Sequence, residues 1–230
     1  MHKLNKIDIL LVRLDILLIE DTSDVLCSKA MQLYDETFPD WEKEPIDIIL
    51  EKIKTGKTLL VIATTENKKE VFSMALLEKH TFTDSILFTY LSVKENLRGL
   101  GIGSKMVLTI QNMIKEFFNV KWLLIEAEQR QAELYSRLNF LKLSFNYISP
   151  SFVNDTDYTF MHLMVYDMHH DKKFYIKRSI IEKFIKEIFI YGYLLKKDDE
   201  RIKIQFDFLK KNKIKARKLK SKDRIDDDEE

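Results

Sequence analysis

The chain has 230 residues, 45% of them apolar and 11% aromatic, which is enough to bury a substantial core as one domain with appendages. Its 38 Lys and Arg against 37 Asp and Glu leave a net charge of +1, so overall charge nominates neither nucleic acid nor a membrane surface as a partner. The single cysteine, Cys27, excludes an intramolecular disulfide framework and fits a reducing, cytoplasmic compartment.

In chain order, "MHKLNKIDILLVRLDILLIED" is interrupted by Asp8, Arg13 and Asp15 and has no small-residue cleavage site. It reads as strand, not as a signal peptide or membrane span. Val25, Leu26, Ala30, Leu33 and Tyr34 then recur at helical spacing behind a Ser23 cap. A short helix around Ile46 to Ile53 stops at Gly56, and "TLLVIAT" follows as a buried strand. "EVFSMALLEKH" and "SILFTYLSV", joined by "TFTD", predict an antiparallel hairpin. From Gly103 the period changes, with Met106, Val107, Ile110, Met113, Ile114, Phe117 and Phe118 marking an amphipathic helix. Strand "KWLLIEA", helix "AELYSRL" and strands "FLKLSFNYI" and "DYTFMHLMVYDM" complete a mixed α/β order with a strand-helix-strand crossover.

Three of the five glycines, Gly99, Gly101 and Gly103, fall within five residues at the start of the long helix. Amides without intrahelical partners, the helix dipole and the missing Cβ atoms suit this turn to a phosphate, although a tight strand-to-helix turn would also use glycine. The spacing is not the dinucleotide fingerprint, and Gly103-Ser104-Lys105 has the wrong order for a Walker loop.

"RGLGIG", between a strand and an amphipathic helix, fits the Arg/Gln-x-x-Gly-x-Gly/Ala signature, and the chain resembles the GNAT family of N-acetyltransferases over roughly Leu17 to Asp167. "AELYSRLNF" resembles the family's YxxxGF segment, with Asn139 where glycine is usual, the substitution best tolerated at a left-handed helix end. Glu128 stands where many relatives have asparagine, and "ETFPDWEKEP" and "YISPSF" are softer likenesses.

The resemblance implies a GNAT-like acyl-CoA N-acyltransferase fold, a mixed central β-sheet flanked by helices, and acetyl-CoA as co-substrate. It implies direct transfer of the acetyl group to a primary amine, small-molecule or protein, without a metal. Backbone groups of Leu91, Ser92 and Val93 would pair with the pantetheine arm. The turn formed by Arg98, Gly99, Leu100, Gly101, Ile102, Gly103 and Ser104 would hold the pyrophosphate, with Arg98 adding charge or bracing the loop. Tyr135 would protonate the leaving thiolate, although an amphipathic core tyrosine also fits its pattern. Glu126, sharing a strand face with Glu128, is the candidate base; solvated glutamates at a strand end are the competing reading. Glu36 and Trp41 are acceptor-site candidates. The histidines lack metal-ligand spacing.

Beyond Asp171 the likeness stops. Ile176, Ile180, Ile181, Phe184, Ile185, Ile188 and Phe189 predict a helix bounded by Gly192, and Ile202, Ile204, Phe206 and Phe208 alternate as a strand would. Nine basic residues and one acid lie between Lys210 and Arg224, ahead of Ile225 and "DDDEE". That run reads as a solvated tail. The expected organisation is an acyltransferase domain over 1–170, an extension over 171–209 and a charged, disordered tail over 210–230. Nucleic acid and membrane are not expected as partners, and a homodimer is compatible. The alternative function is a non-catalytic CoA-binding or recognition module that uses the same fold and the basic tail.

Overall fold

Residues 2–9, 12–154, 156–169, 174–211 and 213–220 are described in a computed structural model. The described residues form two compact units, those up to 79 with 88–119 and those of 80–87 with 120–220. The division falls inside the stretch read as one domain.

The first unit opens with β1 (His2–Ile9) and β2 (Val12–Ile19), strands as the apolar N-terminus predicts and paired as an antiparallel hairpin. Helices α1 (Val25–Thr37) and α2 (Ile46–Lys54) follow, then β3 (Thr58–Thr65), β4 (Val71–His80) and β5 (Ser85–Val93), of which residues 80 and 85–87 count with the second unit. The strands lie in chain order, β1-β2-β3-β4-β5. A 3-10 turn, Glu95–Leu97, leads into the long helix α3 (Ile102–Phe117). Asp24, not Ser23, caps α1 by accepting from the Leu26 amide; Ser23 is held by Asp21. A carboxylate there adds charge at the positive helix end, which a hydroxyl cannot do. Leu26, Ala30 and Tyr34 of α1 and Ile49 and Ile53 of α2 pack with Leu60, Ile62, Met74 and Leu76. Lys52 ties α2 down by bridging Glu44 (2.6 Å) and Glu78 (2.9 Å). Cys27 is buried, and burial pushes its thiol up to about 11, so it is a packed thiol and no nucleophile.

The second unit contains β6 (Trp122–Ala127), α4 (Gln129–Arg137), β7 (Leu141–Leu143), β8 (Tyr147–Pro150), β9 (Tyr158–Asp167), β10 (Phe174–Lys177), α5 (Arg178–Glu187), α6 (Glu200–Asp207) and β11 (Lys213–Arg217). The strand order is β6-β9-β7-β11-β10, with β8 also on β9. Asn139 has φ 69°, the left-handed helix end expected of it. Of the helix stripe read from the sequence, Ile181, Phe184, Ile185, Ile188 and Phe189 cover Leu124, Leu143, Val165 and Ile214, whereas Ile176 lies before the helix on strand β10, paired with Ile214 of β11.

Three expectations for this unit are corrected. "FLKLSFNYI" is two strands, because Gln205 takes the Asn146 carbonyl (3.0 Å) and the Ile148 amide (2.8 Å) at the break. The stretch read as an extra strand is helix α6, started by Asp199, which caps the Arg201 amide. The tail is not wholly solvated. Strand β11 pairs with β10 and β7, with Ile214 at 2% and Ala216 at 0% exposure, so its lysines alternate with core residues. His170, Asp171, Ile225 and the acidic residues 226–230 lie outside the described residues.

A chain ended after Leu209 is therefore expected to lose about 2–4 kcal/mol and roughly 5–15 °C in melting temperature, since Ile214 and two ladders are removed. Calorimetry showing an unchanged transition would contradict this packing. Among the described residues no helix is long and apolar enough to cross a membrane.

Candidate active site

In the first unit the glycine turn joins β5 to α3. Gly99 and Gly101 have φ of 81° and 80°, the left-handed region open to glycine, and Gly101 is the N-cap of α3 with no side-chain cap. Gly103 differs. Its φ is ordinary, and an added Cβ would meet only the Val93 and Leu91 side chains at 3.6 and 3.7 Å, normal contact distances. Nothing among the described residues demands a glycine there.

The Arg98 side chain is exposed and turns back to donate from Nε to the Val93 carbonyl (3.2 Å), bracing the turn. Leu100 is exposed and Ile102 is buried as the first apolar anchor of α3, with Ser104 partly exposed in its first turn. On β5, Leu91 and Val93 are partly exposed and Ser92 points to the buried side, where its Oγ meets Thr37 Oγ1 at 2.7 Å. Ser73 Oγ donates to the Ser92 carbonyl (2.6 Å). Of the acceptor candidates in this unit, Glu36 accepts from Gln32 along α1 and Trp41 is 42% exposed.

The second unit holds both candidate proton-transfer groups. Tyr135, on the buried face of α4, is 6% exposed and meets Phe140 edge-on at 5.6 Å. Burial alone holds its phenol above the ordinary value, so the proton stays on at neutral pH. Glu126, near the end of β6, is partly buried. Tyr147 donates to Oε1 at 2.7 Å and Tyr193 to Oε2 at 3.1 Å, and the Tyr193 hydroxyl meets Ser149 Oγ at 2.5 Å. Burial pushes the Glu126 carboxyl up to about 7, against the pull of hydrogen bonds from Tyr147, Tyr193 and Ser149 and of the His80 imidazole. A carboxyl titrating there can take up or release a proton near neutral pH.

Glu128, expected on the same strand face as Glu126, lies past the strand as the N-cap residue of α4, exposed and bonded to Gln131. His162 faces Gln129 (2.9 Å). Sequence reasoning did not find the Glu126 partners. The alternation in "YISP" puts Tyr147 and Ser149 on one side of β8 and was a usable signal; Tyr193, 67 residues from Glu126, had none.

No protein-family model and no curated protein matches the sequence. Solved structures do. A protein from Bacteroides thetaiotaomicron assigned to the GNAT family of acetyltransferases superposes with a TM-score of 0.60 at 19% identity, covering 79% of this chain and 99% of that one. The ribosomal-protein-S5-alanine acetyltransferase of Vibrio fischeri gives 0.55 at 12% identity over 69% and 95% of the two chains. Arabidopsis thaliana NAA60, solved in complex with acetyl-CoA, gives 0.52 at 14% over 68% and 99%. With the glycine turn at the start of α3 and Tyr135 at the end of α4, these likenesses establish that the chain has the fold of the GNAT acetyltransferases, a mixed sheet of many strands flanked by helices.

Proposed function

We propose that the protein is an acetyl-CoA-dependent N-acetyltransferase acting on a primary amine. The observation that carries this reading is Gly103. A tight turn accounts for Gly99 and Gly101 through their left-handed backbone but not for a glycine without that backbone and with room for a Cβ. Close approach of a phosphate to the main chain accounts for all three, because helix-start amides without side-chain caps serve an anion.

In this reading the amides of residues 99–104 hold the pyrophosphate, and Leu91, Ser92 and Val93 offer main-chain groups to the pantetheine arm. Glu126 takes a proton from the acceptor ammonium. The free amine attacks the acetyl carbonyl, the carbon–sulfur bond breaks, Tyr135 gives its proton to the departing thiolate, and the surplus proton on the new amide nitrogen leaves through solvent, from which the Tyr135 phenol is restored. A screen of acetyl-CoA turnover against an amino acid, a polyamine, an aminoglycoside and a lysine peptide identifies the acceptor.

Donor binding is tested by thermal shift and calorimetry. A ligand that binds only the folded chain raises its melting temperature with concentration, so acetyl-CoA should do so. Gly103→Glu is the discriminating variant: it puts a carboxylate where the phosphates would sit, at a position without backbone strain, in the first helical turn where an acid is favoured. The expected result is an intact fold and at least a tenfold loss of acetyl-CoA affinity. No thermal shift and no heat with the unmodified protein would exclude acetyl-CoA as the donor, and unchanged affinity in the variant would move the site elsewhere.

A further inference from the structure

Glu126 is held at both carboxylate oxygens, and the two donors come from different parts of the chain. Tyr147, on β8, lies within the region that resembles the family. Tyr193, on Oε2, lies beyond Asp171, in the extension past it. The extension reaches Glu126 through two unusual backbone features. Helix α5 runs into a π-helical turn, Ile188–Gly192, closed by the Tyr193 amide donating to the Ile188 carbonyl (3.0 Å). Leu194 then takes φ 59°, left-handed for a branched residue, with a 51% exposed side chain that earns little burial in return. Such features persist where the surroundings over-determine them, and they gather at working sites. Between them the Tyr193 ring is fixed by Phe152 (4.9 Å) and Phe189 (6.1 Å), and its hydroxyl by Ser149.

We propose that Tyr193 is a positioning residue for Glu126, fixing the carboxylate by its second oxygen and making the C-terminal extension a working part of the acceptor side. This rests on the reading of Glu126 as the base. A carboxylate bonded at one oxygen can swing about its terminal torsion; bonded at both, it presents one orientation to an incoming ammonium. The hydrogen bond from Tyr193 also favours the ionised form. The other groups facing the carboxylate are the Tyr147 phenol, the Ser149 hydroxyl and the His80 imidazole. On β9 the register partner of Glu126 is Leu163, with His162 opposite Ala127 and bonded to Gln129. On α5, Glu187 is engaged by Thr83 and the Phe82 amide.

Tyr193→Phe keeps the ring contacts and removes one donor. Two readouts are taken on the full chain: the carbon-13 titration of the Glu126 carboxyl without ligand, and the pH dependence of kcat/KM for acetyl transfer to n-butylamine. In the variant both midpoints should move up by roughly one pH unit, with kcat below that of the parent at neutral pH. An unmoved carboxyl midpoint in folded Tyr193→Phe overturns the proposal. A moved midpoint in a protein that transfers acetyl to no amine upholds the positioning and overturns the acetyltransferase reading. If Tyr193→Phe does not fold, 3-fluorotyrosine at position 193 keeps the ring and the hydroxyl and makes the phenol a stronger donor. A downward shift of the Glu126 midpoint is then expected, and no shift overturns the proposal.

Discussion

Tyr135→Phe is expected to lower turnover roughly 100- to 10,000-fold while acetyl-CoA affinity stays within about twofold. The phenyl ring keeps the edge-on contact with Phe140 and the buried place on α4, so only the proton is lost. Burial holds the phenol above 10, which fixes the sign of the pH effect: the proposed acid stays protonated through neutral pH, so it contributes no alkaline limb below about 10. Steady-state transfer to the acceptor found in the amine screen, with calorimetric donor binding to both proteins, makes the comparison. A folded variant that binds donor and keeps full kcat at every pH would return Tyr135 to the core and leave thiolate protonation to solvent.

Glu126→Gln should move activity and stability in opposite directions above neutral pH. The folded carboxyl titrates at about 7 against an ordinary 4.5, so between those values the folded protein holds a proton that the unfolded chain has lost. Its contribution is intact below 4.5 and is lost as pH rises through 7, to at most about 3 kcal/mol, less whatever solvent at its partly exposed edge screens. Glutamine has no such ionisation. The variant should melt higher than the parent at pH 8, and the gap should close at pH 5, offset at both by one phenol that must turn to accept from the amide. Turnover at pH 8 should fall roughly 100-fold, the usual contribution of a general base. Parallel melting curves and rate profiles decide it. Full activity in the variant, with no limb near 7 in the parent, would assign acceptor deprotonation to solvent.

The glycine turn was legible because a left-handed N-cap and an amphipathic helix leave local marks, namely Gly101 and the stripe from Met106 to Ile114. Asn139 was legible for the same reason. Helix α6 was misread because four apolar residues at period two within so short a segment also fit a helix; two of the residues that settle the matter, buried Arg201 and Gln205, are polar and carried no weight in the pattern. In β11 the period-two signal was present in "KIKAR" but was outweighed by its charge. The surroundings of Glu126 were out of reach, since they depend on β8 and the π-turn meeting β6 in space.

The position of β11 bears on how the chain acquires its structure. In the first unit each strand pairs with its predecessor, across short turns except where α1 and α2 lie between β2 and β3, so that sheet can grow strand by strand in chain order. In the second, β7 pairs with β9 on one side, but its neighbour on the other lies beyond β8, β9, β10, α5 and α6, and Ala216 must find Leu143 across all of them. Closing such a span costs chain entropy before the contact repays it, which is the topology of a slow nucleus. Until the Lys213–Arg217 segment is inserted, β7 and β10 expose edges open to pairing with another chain, and the charges that made this segment look like an appendage are what keep it soluble until then.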